Sequence, residues 1–194
     1  MKNNTHNQEP TFNEMYEKNE DFFGHPYQEL QDFFKAYSNK GSIFDLGCGQ
    51  GRDAIFLSSI GYNVTALDQS QTGIDQMLAK AKKLNLDLKG FSADVFHLEL
   101  KEKYDIILLD MLLHSFNKAE QIVLLKKCSL LLNQSGIFCI VYPNDLSQDY
   151  FIDLMNNLIG EYKIIEKIII NDVPKVEGED EEFTFEMIIV KKIF

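Results

Sequence analysis

Hydrophobic and polar positions change period several times along the chain. After Pro26, the residues Leu30, Phe33, Phe34 and Tyr37 recur at helical spacing and define one apolar face. A proline suits the first turn of such a helix, and Gly41 closes the segment. The ten residues at the start are polar and read as a flexible arm. Beyond Gly41, short apolar runs alternate with amphipathic stretches. SIFDLG (42–47) reads as a buried strand that enters a glycine loop, and RDAIFLSSI (52–60) as a helix stopped by Gly61. YNVTALD (62–68) is a strand ending on an acid. Ile74, Met77, Leu78, Ala81 and Leu84 give helical spacing within 71–84. LDLKGF (86–91) is a weaker strand leading to Ala93 and Asp94. YDIILLD (104–110) is an apolar strand that again ends on an acid. A helix over 118–132 and a strand GIFCIVYP (136–143) follow, the latter stopped by Pro143. Tyr150, Phe151, Leu154, Met155, Leu158 and Ile159 mark the inward face of another helix. Two β-rich runs, 162–170 and 182–192, close the chain without a helical pattern between them.

Strand–helix units in succession predict a mainly parallel sheet covered by helices on both faces. Runs such as IILL and IFCIV fit strands buried on both sides. The last two strands lack a crossover helix and are expected to form a hairpin, with one strand antiparallel to the rest. The expected fold class is therefore α/β: Rossmann-like, doubly wound, with a mainly parallel seven-stranded sheet and an antiparallel C-terminal hairpin. Residues 1–40 are expected to form an N-terminal arm and lid helix, and 41–194 a single cofactor-binding domain. The polar connector at 171–182 is expected to project into solvent. At 194 residues one domain is the natural count.

Composition narrows the partners. Apolar residues make up 45% and charged residues 25%, ordinary globular usage. The net charge of −11 disfavours nucleic acid and anionic lipid as bulk partners. Three cysteines, Cys48, Cys128 and Cys139, include no CxxC pair, so reduced thiols and a cytoplasmic location are expected. The first thirty residues contain no apolar core of a secretory signal. The four histidines show no metal-ligand spacing, so no metal is expected.

The most informative segment is Ile43-Phe44-Asp45-Leu46-Gly47-Cys48-Gly49-Gln50-Gly51-Arg52. Glycines let a ligand approach the backbone, and the helix that follows presents its positive end. In an open α/β sheet the first βα turn is where a nucleotide-like cofactor sits. The dinucleotide fingerprint GxGxxG is absent: the spacing is GxGxG, and Arg52 stands where the third glycine would be. A Walker loop is absent too. Asp45, two residues before the first glycine, would repel a pyrophosphate and suit an ammonium group. Asp68, at the end of the second strand, is placed to accept hydrogen bonds from both ribose hydroxyls. Asp94, at the end of the third, is placed to accept from an adenine amine. An amine, a ribose and an adenine without a phosphate describe S-adenosylmethionine.

DLGCGQGR, followed by ALD and SAD, resembles the class I S-adenosylmethionine-dependent methyltransferases. GCGQGR with the following DAIFLSSIGYNVTALD is similar to the tellurite-resistance and thiopurine methyltransferase group. The resemblance covers roughly residues 40 to 143 and the terminal hairpin. It implies that Asp45 orders the loop and meets the methionine amine, and that Gly47, Cys48, Gly49 and Gly51 form a backbone cradle. It further implies that Asp68 binds the ribose with Gln69 and Ser70 beside the adenine, that Asp94 and Val95 bind the adenine edge, and that Asp110 and Met111 border the sulfonium. Each has a plainer alternative. Asp68 is also a candidate cap for the helix near 71, Asp94 a turn residue, and Arg52 either a partner for a cofactor or substrate carboxylate or a solvated helix residue.

Methyl transfer from a sulfonium is an in-line displacement, in which proximity and alignment contribute most. A general base is needed only if the acceptor must lose a proton. His114, just past the fourth strand, is the candidate, with packing against the loop as its alternative. The N-terminal segment with Tyr16 and His25 folds over the site as a lid in many similar enzymes. Phe22, Phe23 and Tyr27 either wall an acceptor pocket or pack the first helix to the sheet. Asp110-Met111-Leu112-Leu113 departs from the Asp/Asn-Pro-Pro-Tyr pattern of amino methylation, and no Pro-Cys nucleophile suits cytosine. A small molecule, such as a thiol or a metalloid oxyanion, is the expected acceptor. The competing readings are a cofactor-binding regulator without turnover and an NAD-dependent oxidoreductase, the latter opposed by the loop spacing and by Asp45.

Overall fold

A computed structural model describes residues 11–97, 101–143, 150, 153–155, 157–158, 160–171 and 184–193. The sheet forms where the apolar runs lie. Its strands are β1 (Ser42–Leu46), β2 (Asn63–Asp68), β3 (Leu88–Ser92), β4 (Tyr104–Asp110), β5 (Leu132–Pro143), β6 (Tyr162–Ile170) and β7 (Phe185–Lys192). Their order is β3-β2-β1-β4-β5-β7-β6. The first five pair in parallel. β7 inserts between β5 and β6 and runs antiparallel to both, the expected terminal hairpin. The strand order reverses between β1 and β4, and in such sheets the crevice at the strands' C-terminal ends takes the ligand.

Helices α1 (Phe12–Lys18), α2 (Gln28–Ala36), α3 (Arg52–Ser59), α4 (Gln71–Lys83) and α5 (Lys118–Leu131) accompany the sheet. One apolar layer joins Leu30 and Phe34 of α2, Leu57 of α3 and Met77 of α4 to Ile43, Val64, Leu108 and Ile189 of the sheet. The second joins Leu124, Leu125 and Cys128 of α5 to Phe44, Ile107, Phe138 and Val190. Alternate residues of one strand therefore serve opposite layers, which is why IILL and IFCIV are apolar throughout. Each such side chain withdrawn from water contributes roughly 1.5–3 kcal/mol.

Several boundaries differ from the sequence expectation. α1 was not foreseen in the N-terminal segment. It is closed by a capping box in which Thr11 and Glu14 satisfy each other's backbone amides. α2 begins after Pro26, with Tyr27 as its N-cap. β5 starts at Leu132 rather than at 136, because Leu132 pairs with Tyr104 across an irregular register. β7 starts at Phe185, while 172–183, most of the polar connector, lie outside the described residues, as do the opening ten. Of the helix expected around 150–159, Tyr150 and Asp153–Met155 are helical, with Leu154 buried. Phe151 and Ile159 lie outside the described residues. Among the described residues no helix is long and apolar enough to cross a membrane.

Candidate functional site

β1 carries Asp45 to the end of the sheet, where the chain turns through Gly47, Gly49 and Gly51, all with positive φ. The turn is tied to its neighbour strand: Leu67 carbonyl accepts from the amides of Gly47 (2.7 Å) and Cys48 (3.0 Å). Gly51 caps α3 at φ 78°, and a Cβ there would collide with Met77 of α4. At Gly49 an added Cβ would stand 2.8 Å from the Tyr16 hydroxyl. Only glycine meets both demands, a left-handed backbone and a close neighbour. Burial and the nearby Asp45 push the Cys48 thiol well above its usual range and favour its protonated form.

Asp68, at the end of β2, spreads its carboxylate over two backbone amides. Gly49 N–H donates to Oδ2 and Ser70 N–H to Oδ1, each at 2.8 Å. Asp68 does not cap α4. That role belongs to Ser70, whose hydroxyl accepts from Gly73 N at 3.0 Å and donates to Asn13 at 2.5 Å. Ser70 is thereby committed to structure, while Gln69 is exposed beside it. Asp94 lies at the surface, where it accepts from Phe96 N (2.8 Å) and pairs with His97 Nδ1 (2.7 Å). Val95 is buried in the second apolar layer.

Arg52 is neither solvated nor free for a ligand carboxylate. Its Nε and Nη2 donate to the two oxygens of Asp53, and Nη2 also reaches Asp110 at the end of β4. The guanidinium lies 4.3 Å from the centre of the Tyr27 ring. Burial opposes the charge, but Asp53 and Asp110 outweigh it and hold Arg52 protonated. Asp53 and Asp110 bind this cation, Asp45 is buried within reach of its charge, and Asp68 stands near Asp45 on the loop's backbone amides. Two are incompletely satisfied: Asp45 Oδ2 and Asp110 Oδ1 are buried without a hydrogen-bond partner among the described residues. Burial raises both carboxyls well above the usual carboxylate range. The Asp53 charge adds to the effect at Asp45, while Arg52 opposes it at Asp110.

Past Asp110, Met111 adopts φ 49°, unusual for a side-chain-bearing residue, with its amide donating to Val141 carbonyl at 3.0 Å. A short turn, Leu113–Ser115, carries His114 to the exposed surface. Gln121 of α5 pins that turn. Its amide nitrogen donates to Leu113 and Phe116 carbonyls, each at 2.9 Å, and its oxygen accepts from Tyr150 at 2.5 Å.

The N-terminal segment straps the glycine loop, a role no sequence periodicity indicates. Gln50 accepts from Phe22 N (2.9 Å) and donates to Asn19 carbonyl (2.5 Å), and Gln76 donates to Tyr16 carbonyl (2.9 Å). Tyr16 is buried over Gly49, and its hydroxyl is held protonated by burial and by Asp68. The aromatic trio divides. Tyr27 packs into the core against Phe185 and Arg52. Phe22 and Phe23 remain about 41% exposed beside Tyr16. An open cleft of about 340 Å³ runs under the strap, lined by Phe23, His25, Gln50, Arg52, Ile55 and Phe56, among others.

The model of the tellurite resistance protein TehB family matches residues 15–151. The chain is 30% identical over 132 residues to a protein of Haemophilus influenzae named a probable S-adenosyl-L-methionine-dependent methyltransferase TehB. That alignment covers 65% of this chain and 46% of the relative, so the chain spans about half the length of that curated protein. The crystal structure of TehB from Haemophilus influenzae superposes with a TM-score of 0.69 at 21% identity, covering 90% of this chain and 67% of that one. Magnesium protoporphyrin IX methyltransferase from Synechocystis, solved with bound S-adenosylmethionine, gives a TM-score of 0.71 at 14% identity, covering 84% and 76%. These superpositions establish the fold.

Proposed function

The chain belongs to the tellurite-resistance TehB family, and from that premise we propose that it transfers a methyl group from S-adenosylmethionine to a small-molecule acceptor, a thiol or a metalloid oxyanion. The observation that carries the cofactor reading is the pair of buried carboxylate oxygens, Asp45 Oδ2 and Asp110 Oδ1, that find no hydrogen-bond partner among the described residues, beside a left-handed glycine turn. A buried carboxyl with an unmet oxygen demands either a proton or a cationic partner, and a cationic ligand favours the charged form. A phosphate-bearing dinucleotide would add negative charge to a site already rich in carboxylates, whereas an ammonium and a sulfonium supply what it lacks. The residues present fit this cofactor.

Each residue then has a definite task. The backbone of Gly47, Cys48, Gly49 and Gly51 lets the ligand lie close to the loop. Asp68 keeps lone pairs on both oxygens after accepting from Gly49 and Ser70, which is what a ribose diol requires. Gln69 lies at the adenine side, with Val95 as its apolar floor and Asp94 sharing its surface carboxylate with the exocyclic amine. Asp45 receives the ammonium. When bound, the cofactor supplies an electrophilic methyl on a sulfonium leaving group. Asp110 and Met111 border it, and Arg52 fixes the Asp110 carboxylate through one oxygen. The strap through Tyr16 and Gln50 holds the loop and excludes water from one side.

Carboxylates beside a sulfonium favour the charged ground state over the charge-dispersed transition state, so they bind rather than accelerate. Rate comes from alignment of the acceptor with the methyl group. His114, on a turn locked by Gln121 and Tyr150, accepts a proton from an acceptor such as a thiol. The test is formation of S-adenosylhomocysteine by the purified chain with a panel of thiols, selenite and tellurite. Product that forms only in the presence of an acceptor supports methyl transfer. Tight cofactor binding without product across the panel would instead favour a binding protein without turnover.

A further inference from the structure

α5 starts with a capping box. The Asn117 side chain accepts from the amides of Ala119 and Glu120, and the Glu120 carboxylate accepts from Asn117 N. At such a start the residue before the cap packs against an apolar residue at the fourth helical position. Here the residue before the cap is Phe116, and the fourth helical residue is Gln121, which is buried. An apolar side chain would close this helix end without burying an amide. The glutamine breaks the local rule, and such departures mark positions where function sets the geometry.

The Gln121 amide is fully employed. Nε2 donates to the carbonyls of Leu113 and Phe116, each at 2.9 Å, and Oε1 accepts from the Tyr150 hydroxyl at 2.5 Å. Two acceptors at one end and a donor at the other leave the amide a single orientation. Tyr150 is itself held by α5: Lys118 lies 5.2 Å from its ring centre and pairs with Asp153 at 2.6 Å. The two carbonyls that Gln121 grips flank His114 and Ser115, the exposed residues of the short turn. Upstream, the same loop is tied to β5 by Met111 N donating to Val141 carbonyl at 3.0 Å. His114 is therefore presented between two fixed points just past the end of β4.

We infer that Gln121 is a positioning residue: it sets where His114 stands when His114 takes the acceptor's proton, and Tyr150 fixes the direction of its amide. The inference rests on the base role given to His114 above. In that step the thiol's proton passes to His114 and its sulfur bonds the methyl carbon, while the sulfonium sulfur keeps the electron pair of the bond that breaks. Gln121 acts only through the turn. A misplacement of about 1 Å costs on the order of 10²-fold in rate, which gives a buried, fully satisfied amide its use at this position.

The test compares the full-length wild type with Gln121→Met and Tyr150→Phe in two readouts. Methionine keeps the side chain's length, restores an apolar partner for Phe116 and removes both donated bonds. The first readout is turnover at pH 7 of two thiols: 2-mercaptoethanol, which must lose its proton, and 4-nitrothiophenol, which is already a thiolate. Gln121→Met should slow the first about 10–100-fold and the second no more than about threefold. Tyr150→Phe keeps both donated bonds and should slow the first about threefold. The second readout needs no acceptor: the NMR order parameter of the His114 amide should fall from about 0.85 to below about 0.6 in Gln121→Met. Equal slowing of both thiols, or a His114 amide as ordered as in the wild type, would overturn the assignment. Full turnover of 2-mercaptoethanol by His114→Ala would instead overturn the base role on which it rests. If Gln121→Met fails to fold, Tyr150→Phe decides: slowing confined to 2-mercaptoethanol supports the assignment, and equal rates or equal slowing of both thiols overturns it.

Discussion

Replacing Asp45 with Asn should make the ligand-free protein more stable and the cofactor complex weaker. Asp45 is 2% exposed, with Oδ2 buried and without a hydrogen-bond partner among the described residues. Burial and Asp53 raise its carboxyl well above the ordinary value of 3.8. A carboxyl whose folded value is raised binds its proton more tightly in the folded chain. Its contribution to stability is complete below the unfolded value and is lost as pH rises through the folded one. The wild type therefore carries an uncompensated group at alkaline pH that the neutral amide removes. A buried unsatisfied polar group costs about 1–3 kcal/mol. In a chain of this size 1 kcal/mol moves Tm by roughly 2–4 °C. Because the Asn amide keeps a polar atom in the same place, about 1 kcal/mol, or ~2–4 °C, is the expected gain at pH 8. At pH 5 the difference between variant and wild type should shrink. Loss of a charge-assisted contact to the ammonium should weaken S-adenosylmethionine roughly 10–150-fold. Thermal melts of both proteins at the two pH values, with and without S-adenosylmethionine, measure all of this. A variant that melts below the wild type at pH 8 without ligand, or that gains as much as the wild type from ligand, would refute the reasoning.

Three further outcomes follow from named contacts. Asp68→Ala removes the acceptor for Gly49 N and Ser70 N as well as for a ribose, so it should abolish detectable adenosyl-ligand binding and cost about 1–3 kcal/mol of stability by denaturant titration. Unchanged affinity would remove Asp68 from the site. Gly51→Ala forces a side chain into a left-handed turn against Met77, and a Tm loss equivalent to about 1–3 kcal/mol is expected; an unaltered melt would contradict it. His114→Ala should leave S-adenosylmethionine affinity unchanged and lower turnover about 10²–10⁴-fold with an acceptor that must be deprotonated. Full turnover on such an acceptor would leave His114 no role as a base.

The segments most legible in the sequence were those whose partners are close along the chain. The β1 run, the glycine turn and the start of α3 are contiguous, and Asp68 and Asp110 announce themselves as acids at the ends of apolar strands. The hairpin was legible because no helical pattern separates 162–170 from 182–192. What stayed hidden depends on distant residues. Arg52 read as ambiguous because the partner that settles its role, Asp110, lies 58 positions away. The seven-residue α1 escaped because it buries only Tyr16 and leans on α4 rather than on a face of its own. Its capping signal, Thr11 with Glu14, was present and is the clue that marks it. The strap built by Gln50 and Gln76 has no periodicity to read, since glutamines on a loop and a helix look like solvated polar residues. Asp94 followed local chemistry, an acid two residues before an accessible amide, which forms a turn whether or not a ligand is near.

The central claim is that the carboxylate-lined glycine turn is built for a cationic adenosyl cofactor. Calorimetric titration of the purified chain with S-adenosylmethionine, S-adenosylhomocysteine and NADH tests it most directly. Micromolar binding of the adenosyl ligands with none for NADH is the expected result. Binding of NADH, or of no ligand by protein verified free of carried-over cofactor, would contradict it.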